Sequence, residues 1–194
     1  MAGTSNHFHR VRGHHPVRSA PNCPAIMKLL RCVISGSIFL GFVLAGTAVH
    51  ALQPSQGRVV LTITGLLDNT NDADTATFDM RMLEALPQHS FATSSPWYKT
   101  PVKFTGPLLA DVLKAAGARG VTLNAVALNG YKVRIPASDA SLGVVLARLI
   151  DDQPLSVRDR GPLFIVYPFD SAAALKTSTY YGRSIWQLSG IEVE

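Results

Sequence analysis

The sequence has 194 residues and a formal net charge of +5, from 18 Lys and Arg against 13 Asp and Glu. Five of the basic residues and no acidic residue lie in residues 1–51, so residues 52–194 are formally neutral, and the net charge gives no support there to nucleic-acid or anionic-lipid binding. Both cysteines, Cys23 and Cys32, also precede residue 52, which excludes a disulfide, a thiolate nucleophile and a cysteine metal ligand from the remainder.

A secretory signal is predicted at residues 27–51. The basic start Met27-Lys28-Leu29-Leu30-Arg31 precedes an apolar run over residues 32–48 and the small-residue ending Ala48-Val49-His50-Ala51. The run is slightly short for a bilayer span and no charged cluster follows it, so cleavage after Ala51 and export to the periplasm are expected rather than an uncleaved anchor. Residues 1–26 are predicted to be a disordered extension or upstream sequence translated from a misplaced start.

The first half of residues 52–194 contains one clear strand. Residues 58–65 are rich in β-branched side chains and end in glycine, which predicts an opening strand, and residues 67–75 are predicted to be a loop. Thr77 is a candidate N-cap for a short helix that ends at Leu86. Residues 88–103 show no period and are predicted to be an irregular segment.

The second half alternates helical and strand patterns. Residues 107–116 and 138–150 place apolar side chains on one face and predict two helices. Between them, residues 121–128 and 131–135 predict a hairpin with a type I′ turn at Asn129-Gly130. Residues 163–167 and 185–193 predict a buried strand and a closing strand. The order predicts an α+β fold: a single compact domain of mixed sheet with short helices.

Four segments resemble, in order, motifs of a known family. They are Phe104-Thr105-Gly106-Pro107-Leu108-Leu109, Asn129-Gly130-Tyr131, Gly161-Pro162-Leu163 and Ser184-Ile185-Trp186-Gln187-Leu188. The first is similar to a Trp-x-Gly-x-x-Leu helix entry and the second to an Asp-Gly-Tyr turn; the others are similar to Gly-Gly-Pro-Leu-Arg and Ser-Val-Lys-Trp-Leu. Residues 58–194 thus resemble the sulfite-oxidase-type molybdopterin-binding family, which implies its fold for a domain spanning residues 52–194.

The chain departs from that family where the metal cofactor would bind. The family's molybdenum-binding cysteine falls at about Ser94, and its cofactor-facing arginine and lysine fall on Phe164 and Trp186. A serine hydroxyl is a poor substitute for a soft thiolate ligand. We therefore expect no metal ligand, no catalytic residue and no tightly bound cofactor. As a ligand, a neutral flat ring is expected in preference to molybdopterin.

These departures resemble a narrower group of cysteine-less periplasmic proteins of this fold. That group binds free pterins and controls a membrane receptor that makes or degrades cyclic di-GMP. The resemblance implies a pterin-like ligand, the periplasmic domain of a receptor as partner, and no nucleic acid. Aromatic side chains would stack on the ring, and polar ones would meet its edge. The predicted ligand-binding residues are Trp186, Tyr131, Tyr180, Asp159, Asn129, Arg183, Arg160 and Ser94.

The sequence is also consistent with two other functions. One is a molybdopterin-dependent oxidoreductase, or its accessory subunit, in which Ser94 or another oxygen is the metal ligand. The other is an accessory protein that binds only protein, expected if core side chains fill the site around Trp186. Each site residue also has a structural interpretation: Trp186 as core, Asn129-Gly130-Tyr131 as a turn, and Arg158-Asp159-Arg160 as a solvated charge run.

Overall fold

The computed structural model describes residues 52–194, and β-strands make up most of their regular structure. The predicted extension and secretory signal lie outside the described residues. No helix in the described range is long and apolar enough to cross a bilayer. The strands are β1 Val59–Gly65, β2 Ala76–Asp79, β3 Gln88–Ser95, β4 Tyr98–Pro107, β5 Thr122–Ala127, β6 Lys132–Pro136, β7 Val145–Ala147, β8 Leu149–Ile150, β9 Gln153–Pro154, β10 Phe164–Val166, β11 Ile185–Trp186 and β12 Leu188–Val193.

The helices of the described part are few and short, in agreement with the predicted mixed α+β class. The α-helices are α1 Met80–Ala85, α2 Leu109–Ala115 and α3 Ser178–Arg183. Single 3₁₀ segments occupy Ala137–Leu142, Val157–Asp159, Phe169–Ser171 and Ala173–Leu175.

The strands form three sheets. The largest has the order β2-β1-β12-β5-β6, in which β1 and β12 run parallel and the other pairs are antiparallel. A second sheet has the order β3-β4-β8-β9, and a third has the order β11-β10-β7. The third sheet carries the centre of the core, because all three residues of β10 are completely buried. Large buried aromatic side chains surround it, among them Phe104, Tyr167 and Phe169.

Four predicted elements are confirmed. The opening strand β1 buries Leu61 and Ile63 and leaves Thr62 and Thr64 partly exposed, which is the alternation of a strand with one face on the core. Helix α2 buries Leu109, Val112 and Leu113, as its pattern predicted. The hairpin strand β5 and the buried strand β10 also form within the predicted ranges, and β6 extends one residue beyond its predicted end at residue 135.

The helix predicted over residues 138–150 is wrong. A 3₁₀ segment ends at Leu142, Gly143 adopts a left-handed conformation with φ +75°, and the chain continues as β7 and β8. All three residues of β7 are buried, so its run of apolar side chains belongs to a strand covered on both faces.

Three further predictions are corrected. The segment predicted to be irregular forms the long hairpin of β3 and β4, whose tip holds Pro96 and Trp97. Thr77 lies in β2, and the N-cap of α1 is Asp79, whose Oδ1 accepts a hydrogen bond of 2.9 Å from the Met82 backbone N–H. Gln187, with φ +51°, divides the closing strand into β11 and β12.

The Asn129-Gly130 turn is a hairpin turn of a different type from the predicted one. Only Gly130 has a positive φ, +81°, whereas a type I′ turn needs two such residues. The Gly130 N–H donates to the Ala127 carbonyl, and the Ala127 N–H donates to the Tyr131 carbonyl, both at 2.9 Å. The loop is therefore the three-residue kind, with glycine alone in the left-handed position.

Candidate ligand-binding site

A cavity of about 370 Å³ lies where the β3–β4 tip, the β5–β6 turn and the α3–β11 segment meet. Four aromatic side chains line it, and none of its lining residues is charged. Its volume lies at the lower end of the range of small-molecule sites, about 300–1,000 Å³. The lining residues are Trp97, Ala127, Asn129, Tyr131, Tyr181, Gly182, Ser184, Ile185 and Trp186.

Trp97 is held by the core beneath it. Its ring centroid lies 5.4 Å from that of Phe164 and 6.0 Å from that of Phe169, both fully buried. Trp97 also meets two other cavity rings edge to face: Trp186 at 5.9 Å and 76°, and Tyr181 at 6.2 Å and 85°. The three rings therefore pack against one another, and the planes of Trp186 and Tyr181 are both steeply inclined to the plane of Trp97.

Trp186 reaches the cavity because of the strand that carries it. In β11, Ile185 is 2% exposed and Trp186 is 38% exposed, so the two side chains lie on opposite faces. Trp186 pairs with Phe164 in the neighbouring strand β10, and the Gln187 bend follows at once. The indole is therefore anchored on one side and open to the cavity on the other.

The β5–β6 turn supplies the other side of the cavity. The Asn129 Oδ1 accepts a hydrogen bond of 3.0 Å from the Tyr131 backbone N–H, which fixes the side chain against the turn. No described residue accepts a hydrogen bond from the Asn129 Nδ2 group, so this group is available as a donor to a ligand. Tyr131 is 55% exposed and stands at the rim.

Helix α3 forms the third wall through Tyr181, Gly182 and the following Ser184. The Tyr181 ring packs 4.7 Å from Phe169, and the Ser184 Oγ donates to the Tyr180 carbonyl at 3.0 Å. Tyr181 was not predicted as a site residue, nor was Trp97, and α3 was not predicted as a helix.

A buried network ties α3 to the rest of the domain. The Asp139 Oδ2 accepts a hydrogen bond of 2.7 Å from the Tyr167 hydroxyl and one of 2.8 Å from the Arg183 Nη1. Burial, and then the hydrogen bond to Asp139, raise the pKa of Tyr167 well above its usual range, so the phenol stays protonated. Arg183 is thereby committed to Asp139.

Five of the predicted site residues do not line the cavity. Arg183 is held by Asp139, and Tyr180 packs at 5.2 Å against Tyr167. Asp159 accepts a hydrogen bond of 2.7 Å from the Ser156 hydroxyl and lies, with Arg160, in a separate cleft of about 270 Å³. Ser94 is the fifth. Trp186, Tyr131 and Asn129 are the predicted residues that the structure brings together.

Ser94 is bound to a charged pair. Its backbone N–H and its hydroxyl donate to Asp170 at 2.6 and 2.7 Å, and the Lys176 Nζ lies 2.7 Å from the Asp170 Oδ1. Lys176 and then Ser94 hold the pKa of Asp170 well below its usual range, so the group is a carboxylate at neutral pH. The position that resembles the metal-binding cysteine is therefore a hydroxyl that donates to an anion.

These residues do not fit a molybdopterin cofactor. Ser94 is engaged by Asp170, Phe164 is completely buried, and Trp186 presents an indole to the cavity. No lysine or arginine lines the cavity to meet a phosphate. Among residues 52–194, no group of three or more His, Cys, Asp or Glu side chains is placed to hold a metal ion.

The comparisons with known proteins give a fold. No protein-family model and no curated protein matches the sequence. Among solved structures, the chain is similar to the sulfane dehydrogenase SoxCD from Paracoccus pantotrophus, with a TM-score of 0.52 and 16% sequence identity. The match covers 69% of this chain and 37% of that chain, so this protein corresponds to well under half of the enzyme chain. At this identity the likeness concerns architecture alone, and it supports the sulfite-oxidase-type fold expected from the sequence without showing a family or an activity.

Proposed function

We propose that this protein is a non-catalytic, exported small-molecule-binding protein whose aromatic cavity receives a free pterin-type ring. The observation that carries the proposal is the cavity, which combines four aromatic side chains with a lining free of charge. A neutral bicyclic ring gains stacking contacts with such walls and needs no counter-ion. The Asn129 Nδ2 group offers a donor to the polar edge of such a ring.

The open cavity also argues against the third candidate function, an accessory protein that binds only protein. That function was expected if core side chains filled the space around Trp186. Instead, Trp186 is 38% exposed and faces a cavity of about 370 Å³. The geometry therefore favours a ligand over a purely structural role.

The regulatory part of the proposal concerns the partner. Ligand occupancy would change the affinity for the periplasmic domain of a membrane receptor in cyclic di-GMP control, through contacts that differ between the two states. Its support is the resemblance of the sequence to the cysteine-less periplasmic group. A pull-down of the receptor domain with and without pterin tests this regulation. Equal retention in both states would contradict it, because the ligand would then not change the affinity for the receptor.

The alternative function is a molybdopterin-dependent oxidoreductase or its accessory subunit. The shared fold with the sulfane dehydrogenase favours it. Metal analysis of protein purified from its native compartment distinguishes the two proposals. One molybdenum per chain would support the oxidoreductase and contradict the pterin-binding function.

Tryptophan fluorescence is a selective assay for the cavity, because both tryptophans of the chain, Trp97 and Trp186, line it. Titration with pterin, corrected for absorption by the ligand, should quench the emission and give a saturable curve. The Trp186→Ala variant should bind at least about fivefold more weakly, since stacking of a base on an aromatic side chain contributes roughly 1–3 kcal/mol. Its affinity is measured by calorimetry and by the remaining Trp97 emission.

Helix α3 offers a matched pair of controls for this titration. Tyr181→Leu removes a ring that lines the cavity, whereas Tyr180→Leu removes the neighbouring ring, which does not. Only the first should weaken pterin binding. No saturable binding of pterin to the wild-type protein at high micromolar concentration would refute the proposed ligand class.

A further inference from the structure

Arg160 stands behind the cavity wall. Its guanidinium carbon lies 5.8 Å from the centroid of Trp186 and 4.8 Å from that of Tyr98, yet Arg160 does not line the aromatic cavity. Trp186 does line it, so the indole has the ligand space on one side and a cation on another. Arg160 instead lines the separate cleft shared with Tyr98 and Asp159.

The backbone fixes Arg160 in this place. The residue adopts a left-handed conformation with φ +69°, and its carbonyl accepts a hydrogen bond of 3.0 Å from the Gln187 N–H. Gln187 directly follows Trp186 and is itself left-handed, with φ +51°. The loop that carries the cation is thus hydrogen-bonded to the residue next to the indole, and the two side chains are held together.

The charge of Arg160 has no counter-ion close by. Within residues 52–194, no carboxylate lies within 4.0 Å of its guanidinium, and the neighbouring Asp159 carboxylate accepts from Ser156. The cavity lining is also uncharged. No direct ion pair among these residues therefore offsets the charge that Arg160 places beside Trp186.

An aromatic cavity without acidic residues has two natural kinds of ligand. Such rings bind quaternary or otherwise cationic ligands through their electron-rich faces, or they stack on neutral flat rings. A cation already placed against Trp186 draws the electron density of the indole toward itself and repels a second cation. The position of Arg160 therefore favours neutral flat rings over cationic ligands.

We infer that Arg160 is a specificity-determining positioning residue, which fixes Trp186 from behind and makes the cavity select neutral flat rings over cationic ones. This inference rests on the proposed function, because it assumes that flat rings enter the cavity. It adds the basis of selectivity, and it assigns to Arg160 a role outside the ligand contact predicted from the sequence.

The test compares two probes that share the same bicyclic ring but differ in charge, quinoline and N-methylquinolinium, at pH 7.5. The wild-type protein should bind quinoline at least about tenfold more tightly than N-methylquinolinium, a ratio measured by tryptophan fluorescence and calorimetry. Arg160→Gln should bring the two affinities within about threefold of each other. Arg160→Lys should keep part of the preference, because the positive charge remains while the planar guanidinium group is lost.

Arg158→Gln is the matched control, since Arg158 is an exposed arginine of the same loop that lines neither the cavity nor the cleft. It should leave the preference unchanged. The ratio of the two affinities distinguishes selectivity from a general loss of structure, which would weaken both probes together. An Arg160→Gln protein that keeps the wild-type preference, or a wild-type protein that binds neither probe, would overturn the inference.

Pterin binding is scored separately. If quinoline is preferred and the preference depends on Arg160 but pterin does not bind, the selectivity stands and the proposed ligand class fails. If pterin binds and Arg160→Gln leaves the charge preference intact, the proposed function stands and the inference on Arg160 fails.

Discussion

Removal of the Asp139 carboxylate should destabilise the domain and loosen the α3 wall of the cavity. Asp139 is 6% exposed and accepts hydrogen bonds from a completely buried tyrosine and from Arg183, whose side chain is 25% exposed. In Asp139→Ala the Tyr167 hydroxyl loses its acceptor inside the core, and the Arg183 guanidinium loses its counter-ion. These are the conditions in which a broken network costs more than an ordinary hydrogen bond.

The expected loss can be worked out from the two contacts. An unsatisfied buried hydroxyl costs about 1–3 kcal/mol, and a lost hydrogen bond to a charged group costs about 1.5–3 kcal/mol, reduced here because water reaches Arg183. We expect a loss of about 3 kcal/mol, which corresponds to a fall in Tm of about 10 °C for a domain of this size. Tyr167→Phe, which leaves the Arg183–Asp139 pair intact, should cost about 1 kcal/mol.

The assay is urea unfolding followed by circular dichroism, with all variants compared at the same pH. The double variant Asp139→Ala, Tyr167→Phe should lose less than the sum of the single losses, because the orphaned hydroxyl is absent. Asp68→Ala is the control: it breaks the exposed 2.8 Å pair with Arg119 and should change stability by less than about 0.5 kcal/mol. An Asp139→Ala protein as stable as this control would refute the reasoning.

Two further predictions concern acid stability and backbone packing. Because folding lowers the pKa of Asp170, its carboxylate stabilises the fold above about pH 4, and that contribution is lost as the pH falls. Asp170→Asn should therefore flatten the decline of the Tm between about pH 4 and pH 2. An unchanged decline would contradict this. A Cβ on Gly106 would collide with the Leu146 carbonyl, whereas one on Gly130 meets open space at φ +81°. Gly130→Ala should cost about 1 kcal/mol in urea unfolding and Gly106→Ala at least twice that, and equal losses would count against the close approach of β4 and β7.

The elements that could be predicted from the sequence are those with one buried face. Helix α2 and strand β1 each place their apolar side chains on a single side, and the period of that side identifies the element. Strand β3 gives no such signal. One of its faces is exposed, and the partly buried face carries His89, Phe91, Thr93 and Ser95, of which only Phe91 is apolar, so the sequence shows no apolar alternation.

The wrong helix at residues 138–150 has the opposite cause. Val145 and Leu146 are buried on opposite faces of β7, and with Leu142 and Leu149 they reproduce the spacing of a helical stripe. Gly143 was the available signal, since a glycine inside a helical pattern lowers its stability and here occupies a left-handed position. A strand covered on both faces and a buried helix cannot be separated by apolar spacing alone.

The candidate site was predictable only where it belongs to predicted elements. Asn129 and Tyr131 come from a hairpin that the sequence predicted, and Trp186 from a strand that it predicted. Trp97 lies in the hairpin that was predicted to be irregular, so nothing connected it with the cavity. Tyr181 was missed in favour of Tyr180 because successive residues of a helix point about 100° apart, and that choice needs the helix to be known.

The parallel pairing of β1 with β12 has a consequence for biosynthesis. Strand β12 lies between β1 and β5, so the largest sheet has a gap at its middle until residue 193 has been made. A nascent chain that has passed only residue 187 carries a β1 strand that is paired with β2 on one edge and unpaired on the other, so it cannot close its core. Contacts between such distant segments form slowly. Ribosome-bound chains stalled before β12 should be cut rapidly by proteases, whereas released chains resist them; early resistance would mean that the sheet assembles without its central strand.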